Sequence, residues 1–399
     1  MKRNIYFMAA VLGLLFSFTV SGMAQDRKGM THRISADFFP SYVLPTNPFF
    51  KGVTEYGQVL DCTMSAHLKY SFNLGDNTDL GRLYPNTFQG LGLSWNTFFN
   101  TLEVGTPVAL YLFQNSPILS FSDKLHLNYE WNFGISYGWK TYDIRENRFN
   151  RVVGSKANAY INLGVNLEWE FAKDWRLYGG IGFTHFSNGN TGYPNAGVNS
   201  TGGRIGLSKD FHTRPGKKVE VQSEYMKRSD FYRHMTYDLV LYGAARKRAI
   251  NLPDYPTIVP GVFAIAGLNF NPMYNFSRYL RAGLSADFQF DESANIEDHK
   301  VSDSMDEDKL KFYRPPFREQ AALGISLRGE LVMPFFSINL GIGRNIICKG
   351  KDTNCFYQTF ALKADVYKDL FIHIGYQLFD FKNPNNLMLD IGYRFNNRH

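Results

Sequence analysis

The stretch "WRLYGGIGFTHFSNGN", Trp175 to Asn190, decides how this chain is read. Laid out as a β-strand, its side chains alternate between two faces. One row is Trp175, Leu177, Gly179, Ile181 and Phe183, and it continues into His185 and Ser187. The other is Arg176, Tyr178, Gly180, Gly182, Thr184 and Phe186. The first row is apolar until Phe183, over the length a tilted strand needs to cross a bilayer. In a barrel that row faces lipid. His185 and Ser187 then sit on the outside near the rim, at the level of the membrane interface.

Segments of this kind recur along the chain. "SAHLKYSFNL", "QGLGLSWNTFF", "LHLNYEWNFGISYGW", "AYINLGVNLEWEF", "GVFAIAGLNF", "FFSINLGIG" and "NLMLDIGYRF" alternate with period two, as half-buried strands do. "FAKDW" and "MPFF" read as tight turns. Residues 291–316 read as a long, solvated, acidic outer loop carrying Asp291, Glu292, Glu297, Asp298, Asp303, Asp306, Glu307 and Asp308. The expectation is an all-β, antiparallel transmembrane β-barrel of about 12 to 16 strands, with 14 favoured, formed as a single barrel by residues 25–399. The parity fails between residues 210 and 250, where "KKVEVQSEYMKRSDFYRHM" reads as a strand pair or an insertion. A soluble β-sandwich or a pair of small β-domains is the alternative fold.

Composition supports the barrel. The chain holds 35 Phe, 24 Tyr and 35 Gly, and 16% of its 399 residues are aromatic. Aromatic girdles and strand alternation explain this better than a soluble core does. The N-terminus has Lys2 and Arg3, an apolar run from Met8 to Val20, and Gly22-Met23-Ala24 as a cleavage site. That pattern predicts a secretory signal peptide over residues 1–24, and hence export to the outer membrane of a Gram-negative bacterium. The formal net charge of +7 would point a cytoplasmic protein toward nucleic acid. For an exported barrel, lipid or lipopolysaccharide phosphate is the better partner, with Arg246-Lys247-Arg248 and Arg214 to Lys218 as the densest basic spots, and solvated strand ends as the plain alternative. Cys348 and Cys355 bracket the polar turn "CKGKDTNC", a spacing that suits a disulfide in an oxidising compartment and leaves Cys62 over; three reduced thiols are the rival reading.

The outward row also carries chemistry. Side chains at i and i+2 on one face are neighbours, so His185 can serve as general base to Ser187. An acyl-transfer site needs a group that orients the imidazole, and donors for the oxyanion. In the following strand, "NSTGGRIGLSKDF", Asn199 is in phase with Ile205 and Leu207 and would face His185. The amides of Asn188 and Gly189, with the Asn188 side chain, are the candidate oxyanion donors. A dyad facing outward meets ester bonds of lipids that stay in the membrane. The plain alternative is a chance His-x-Ser among head groups.

"HFSNGNTGYPNAGVN" resembles the active-site segment of the outer-membrane lipid A deacylases, the PagL-like acyl hydrolases, whose longer members are acyloxyacyl hydrolases. His185, Ser187, Asn188, Pro194, Asn195 and Gly197 fall on that family's frame. The resemblance implies a membrane-embedded serine esterase, without cofactor, that removes an ester-linked acyl chain from lipid A. The family's acidic third member falls on Asn199. In that respect the segment is similar to outer-membrane phospholipase A, whose triad ends in asparagine. That second resemblance implies a phospholipid substrate, a homodimer, and calcium near the loop, with Asn190 and Asn195 as the positions for its ligands. A non-catalytic lipopolysaccharide-contacting barrel or porin is the third reading.

Overall fold

The first strand shows the construction principle. In β1 (Thr31–Val43), Arg33, Ser35, Asp37, Phe39, Ser41 and Val43 are buried, while Ile34, Phe38 and Tyr42 between them are exposed. Charge points in and hydrocarbon points out, the reverse of a soluble protein. The computed structural model describes residues 30–75, 81, 84–212, 232–251, 256–301, 310–333, 336–381 and 383–397. The expected signal peptide, the Arg214 to Lys218 cluster, and Asp303, Asp306, Glu307 and Asp308 lie outside these residues.

The chain divides into two units, the first formed by residues up to Asn188 with Pro194–Val221, the second by Gly189–Tyr193 with Gln222–His399. The first unit contains β1, β2 (Cys62–Asn73), β3 (Phe88–Thr97), β4 (Gly105–Ser122), β5 (Leu125–Trp139), β6 (Ala157–Ala172), β7 (Trp175–Ser187) and β8 (Val198–His212). Each pairs antiparallel with the next, and β8 pairs back onto β1, closing a barrel. The second unit contains β9 (Met235–Arg246), a short hairpin of β10 (Ala249–Asn251) and β11 (Pro256–Ile258), then β12 (Phe263–Asn275), β13 (Leu280–Asp291) and β14 (Ala321–Val332). It ends with β15 (Ser337–Ile347), β16 (Phe356–Tyr367), β17 (Leu370–Phe379) and β18 (Asn383–Phe395). Here β18 pairs with β9, which pairs with β12, and a second barrel closes.

The all-β antiparallel barrel fold is therefore as expected, but the single barrel is not. Two eight-stranded barrels form in place of one with 14 strands favoured. Closure depends on long-range partners, Ile34 with Lys209 and Tyr393 with Leu239 among them, and alternation along a strand carries no information about which distant edge it meets.

An eight-stranded barrel is just wide enough to be filled by side chains. In the first, Lys69 Nζ lies 2.9 Å from both Asp37 and Glu130 carboxylates, and Arg204 pairs with the same two acids. Arg33 pairs with Glu168 at 2.9 Å and Asp210 at 2.6 Å. Toward the loop end the filling becomes aromatic, with Phe49, Phe50, Phe98, Tyr111, Trp139, Tyr160 and Phe186 in one cluster. The second barrel is filled in the same manner, by Asp238, Glu330, Lys363 and Arg394 and by Asp287 with Arg328. Outside the first barrel, Trp169, Phe171, Trp175 and Phe211 are exposed at one end and Tyr42, Trp95 and Tyr137 at the other.

Three further expectations are corrected. Asp291 is not a solvated loop acid: it ends β13 inside the barrel, buried and paired with Arg246 at 2.5 Å. Arg246 likewise points inward, so it is not part of a lipid-phosphate patch. Cys348 and Cys355 are free thiols, as is Cys62. The Cys355 Sγ is turned to the carbonyls of Asp352 and Thr353, at 3.9 and 3.8 Å.

Candidate active site

The two rows of β7 are sharply distinguished. Ile181 is 68% exposed and Leu177 41%, whereas Tyr178, Thr184 and Phe186 are at most 5% exposed. His185 and Ser187 continue the outward row; His185 is half-buried and Ser187 is buried. The inward residues on either side of His185 are held firmly. Phe186 packs between Trp139 and Tyr160, with ring centroids 5.0 and 5.2 Å away. Thr184 Oγ1 accepts a hydrogen bond from Asn162 Nδ2 at 2.8 Å, and Asn162 Oδ1 accepts one from Arg204 at 2.9 Å. Arg204 is in turn fixed by Asp37 and Glu130. The strand segment bearing the outward pair is thus anchored from within by an aromatic ring and a polar chain.

Across the ladder, His185 and Asn199 are direct partners of β7 and β8. Their side chains meet, with Nδ1 2.6 Å from Oδ1. A carboxamide oxygen only accepts, so Nδ1 carries the proton and Nε2 keeps its lone pair. The Asn199 carbonyl accepts from Leu44 N–H at 2.8 Å, which ties this position to the loop after β1. Gly197 has φ +72°, and a Cβ there would lie 3.2 Å from His185 Cε1 and 3.3 Å from the Phe186 carbonyl. Both the backbone and the space beside the imidazole require glycine.

Ser187 opposes Ala159 of β6, and among the described residues no hydrogen bond joins its hydroxyl to His185. Catalytic contacts are often loose without substrate. The Asn188 N–H, one expected oxyanion donor, is directed elsewhere: it donates to Asn195 Oδ1 at 2.9 Å. Asn195 is held by an antiparallel bridge to Val153. Gly189 and Asn190 have left-handed backbones, φ +60° and +62°. They belong to the segment counted with the second unit, where Asn190 Nδ2 donates to the Asn385 carbonyl at 3.1 Å. At the two positions named for calcium ligands, Asn195 Oδ1 accepts from the Asn188 N–H and Asn190 Nδ2 donates to the Asn385 carbonyl, and no three His, Cys, Asp or Glu gather as a metal site among the described residues.

The residues that sequence reasoning missed are the supports: Thr184, Asn162, Arg204 and the steric role of Gly197. The signal was present in the inward rows, where Asn162 and Thr184 are register partners and Arg204 opposes Gly180.

Two family models match successive parts of the chain. "Lipid A 3-O-deacylase (PagL)" matches residues 64–208, and "Acyloxyacyl hydrolase, C-terminal domain" matches residues 235–397. The first match covers β7, the loop and β8 as far as residue 208. None of the curated proteins matches the chain. Among solved structures, the chain is similar to the toluene transporter TbuX of Ralstonia pickettii, at 10% identity over 92% of this chain and 90% of that one, TM-score 0.18. It is also similar to the siderophore receptor PirA of Pseudomonas aeruginosa, at 12% identity over 93% and 81%, TM-score 0.25. Scores this low mean that the chains do not superpose, and the fold rests on the strand pairing described above.

Proposed function

Because the chain belongs to the family of PagL lipid A deacylases and acyloxyacyl hydrolases, carboxylic ester hydrolases, we propose that it is an outer-membrane serine esterase that removes an ester-linked acyl chain from lipid A. The observation that carries the mechanism is the 2.6 Å hydrogen bond between His185 Nδ1 and Asn199 Oδ1 on the outward face. It leaves Nε2 as the base. Ser187 Oγ attacks the ester carbonyl as Nε2 takes its proton, and a tetrahedral oxyanion forms. Collapse expels the sugar alkoxide, which the imidazolium protonates. Water then enters by the same route, releasing the fatty acid and restoring Ser187. With the Asn188 N–H engaged by Asn195 and Asn188 Nδ2 3.5 Å from the Pro194 carbonyl, the oxyanion falls first to the Gly189 N–H.

The outside of the first barrel supports the membrane placement in this reading. Trp175 and His185 are ten residues apart on β7; at a rise near 3.3 Å and a tilt near 40° that is roughly 25 Å along the barrel axis, the height of an apolar band. If the aromatic ring at Trp175, Trp169 and Phe211 marks one interface, His185 stands at the other, where ester linkages lie.

Phospholipase A activity is the second reading, favoured by one observation: position 199 is a neutral asparagine. A porin is disfavoured, because ion pairs fill both barrels and the cavity among Arg33, Lys69, Glu130 and Glu168 is only about 10 Å³. The test is product analysis. Purified protein is incubated with lipid A and separately with phospholipid. Fatty acid released from lipid A alone supports the proposal, and lysophospholipid from the second sample supports the alternative.

A further inference from the structure

The second unit has a feature that ester hydrolysis does not use. At the end of its barrel where β9, β13, β15 and β17 finish and β14, β16 and β18 begin, a cavity of about 470 Å³ opens. That is within the size range of ligand pockets. Its wall includes Arg246, Gln289, Asp291, Gln320, Asn345 and Asn385. Arg246, Asp291, Gln320 and Asn385 are all buried. Most of the wall is held from behind. Arg246 bonds Asn385 Oδ1 at 2.7 Å, Asn385 Nδ2 bonds Gln377 at 2.9 Å, Gln320 Nε2 bonds the Glu292 carbonyl at 2.9 Å, and Asn345 Nδ2 bonds the Thr353 carbonyl at 2.7 Å.

Locked amides and carboxylates present donors and acceptors at fixed angles. Hydroxyls, which both donate and accept, are their natural complement. Phe379 adds a flat apolar wall of the kind on which a sugar face packs. Charge excludes a simple anion hole. Arg246 is neutralised by Asp291 and Arg248 by Asp352, while the remaining lining cations, Lys247 and Lys351, are matched in number by Glu297 and Asp380. A neutral polyhydroxylated ligand suits this lining better than free phosphate.

We propose that this mouth of the second barrel is a saccharide-binding site; that the saccharide belongs to lipopolysaccharide rests on the lipid A reading above. The β18 strand runs from this mouth to the far end at Phe395, so the cavity lies at the barrel end away from the C-terminus.

The experiment uses the full chain carrying Ser187→Ala, in detergent micelles, so that binding is read without turnover. It is titrated calorimetrically with the acyl-free oligosaccharide released from lipopolysaccharide by mild acid, and separately with inorganic phosphate. Saturable binding of the oligosaccharide and none of phosphate is expected. Adding Gln289→Leu should weaken binding about tenfold, the worth of one good hydrogen bond, and Ala322→Phe, at a further lining position of the cavity, should fill it and abolish binding. Both variants should keep the heat-modifiable mobility and far-UV circular dichroism of the parent, which shows that they fold. The proposal is overturned if the oligosaccharide does not bind, if phosphate binds as well, or if Gln289→Leu leaves binding unchanged. Failure of the esterase proposal is seen separately, as lipid A left intact by the Ser187 protein.

Discussion

His185 and Asn199 are register partners across β7 and β8, and on the outer wall of the first barrel their side chains share a 2.6 Å hydrogen bond. The pairing explains how a lipid-facing strand can present an oriented base. The ladder fixes the backbones, and the carboxamide fixes the tautomer.

Asn199→Leu removes the acceptor and frees the imidazole to rotate. It should lower kcat on lipid A by about 10², since losing the orienting group costs orders of magnitude in related dyads. Asn199→Asp keeps the geometry and adds charge to stabilise the imidazolium. Charge-assisted hydrogen bonds are about twice as strong as neutral ones, which corresponds to a rise of roughly five- to tenfold in kcat. A fall in kcat for the aspartate variant would show that the site is built around a neutral partner.

Gly197→Ala places a methyl group 3.2 Å from His185 Cε1, on a backbone with φ +72°. The left-handed conformation costs about 1–2 kcal/mol for a residue with a Cβ, and the imidazole has to shift. Steady-state kinetics should show kcat reduced about tenfold or more, because small misplacements of a reacting group are expensive, while binding of an intact substrate changes little.

Thr184→Val leaves Asn162 Nδ2 without its inward acceptor. The loss should be about 1–3 kcal/mol of stability, read from the urea midpoint of the heat-modifiable band. A variant as stable as the parent would mean that the Arg204–Asn162–Thr184 chain contributes nothing to anchoring β7.

The cysteines give a chemical check on the corrected loop. Burial, with Asp380 nearby, pushes the Cys355 thiol up to about 12, so its reactive thiolate is scarce at ordinary pH. Cys62 is exposed. Maleimide at pH 8 should label Cys62 readily and Cys355 slowly, and reductant should leave the unfolding midpoint unchanged.

Local alternation made the strand face legible. The odd row is exposed at Trp175, Leu177, Ile181 and Phe183, with His185 half-buried and Ser187 buried at its end, and the phase of Asn199 with Ile205 and Leu207 matched its register opposite His185. What alternation could not supply was closure, which is decided by edges far apart in the chain. The parity break between residues 210 and 250 marked the boundary between two barrels, yet nothing in "KKVEVQSEYMKRSDFYRHM" itself says that β8 has already returned to β1. Side-chain competition was equally hidden. Asn188 and Asn195 were read as separate candidates, and the structure joins them to each other, so the Asn188 N–H is directed to Asn195 Oδ1.

The most direct measurement is the mass of lipid A after incubation with purified protein, beside Ser187→Ala under the same conditions. The wild-type chain should remove an ester-linked acyl group, and Ser187→Ala, folded by its heat-modifiable mobility, should do so at least about 10³ times more slowly. Deacylation by Ser187→Ala at the wild-type rate would contradict the nucleophilic role of Ser187.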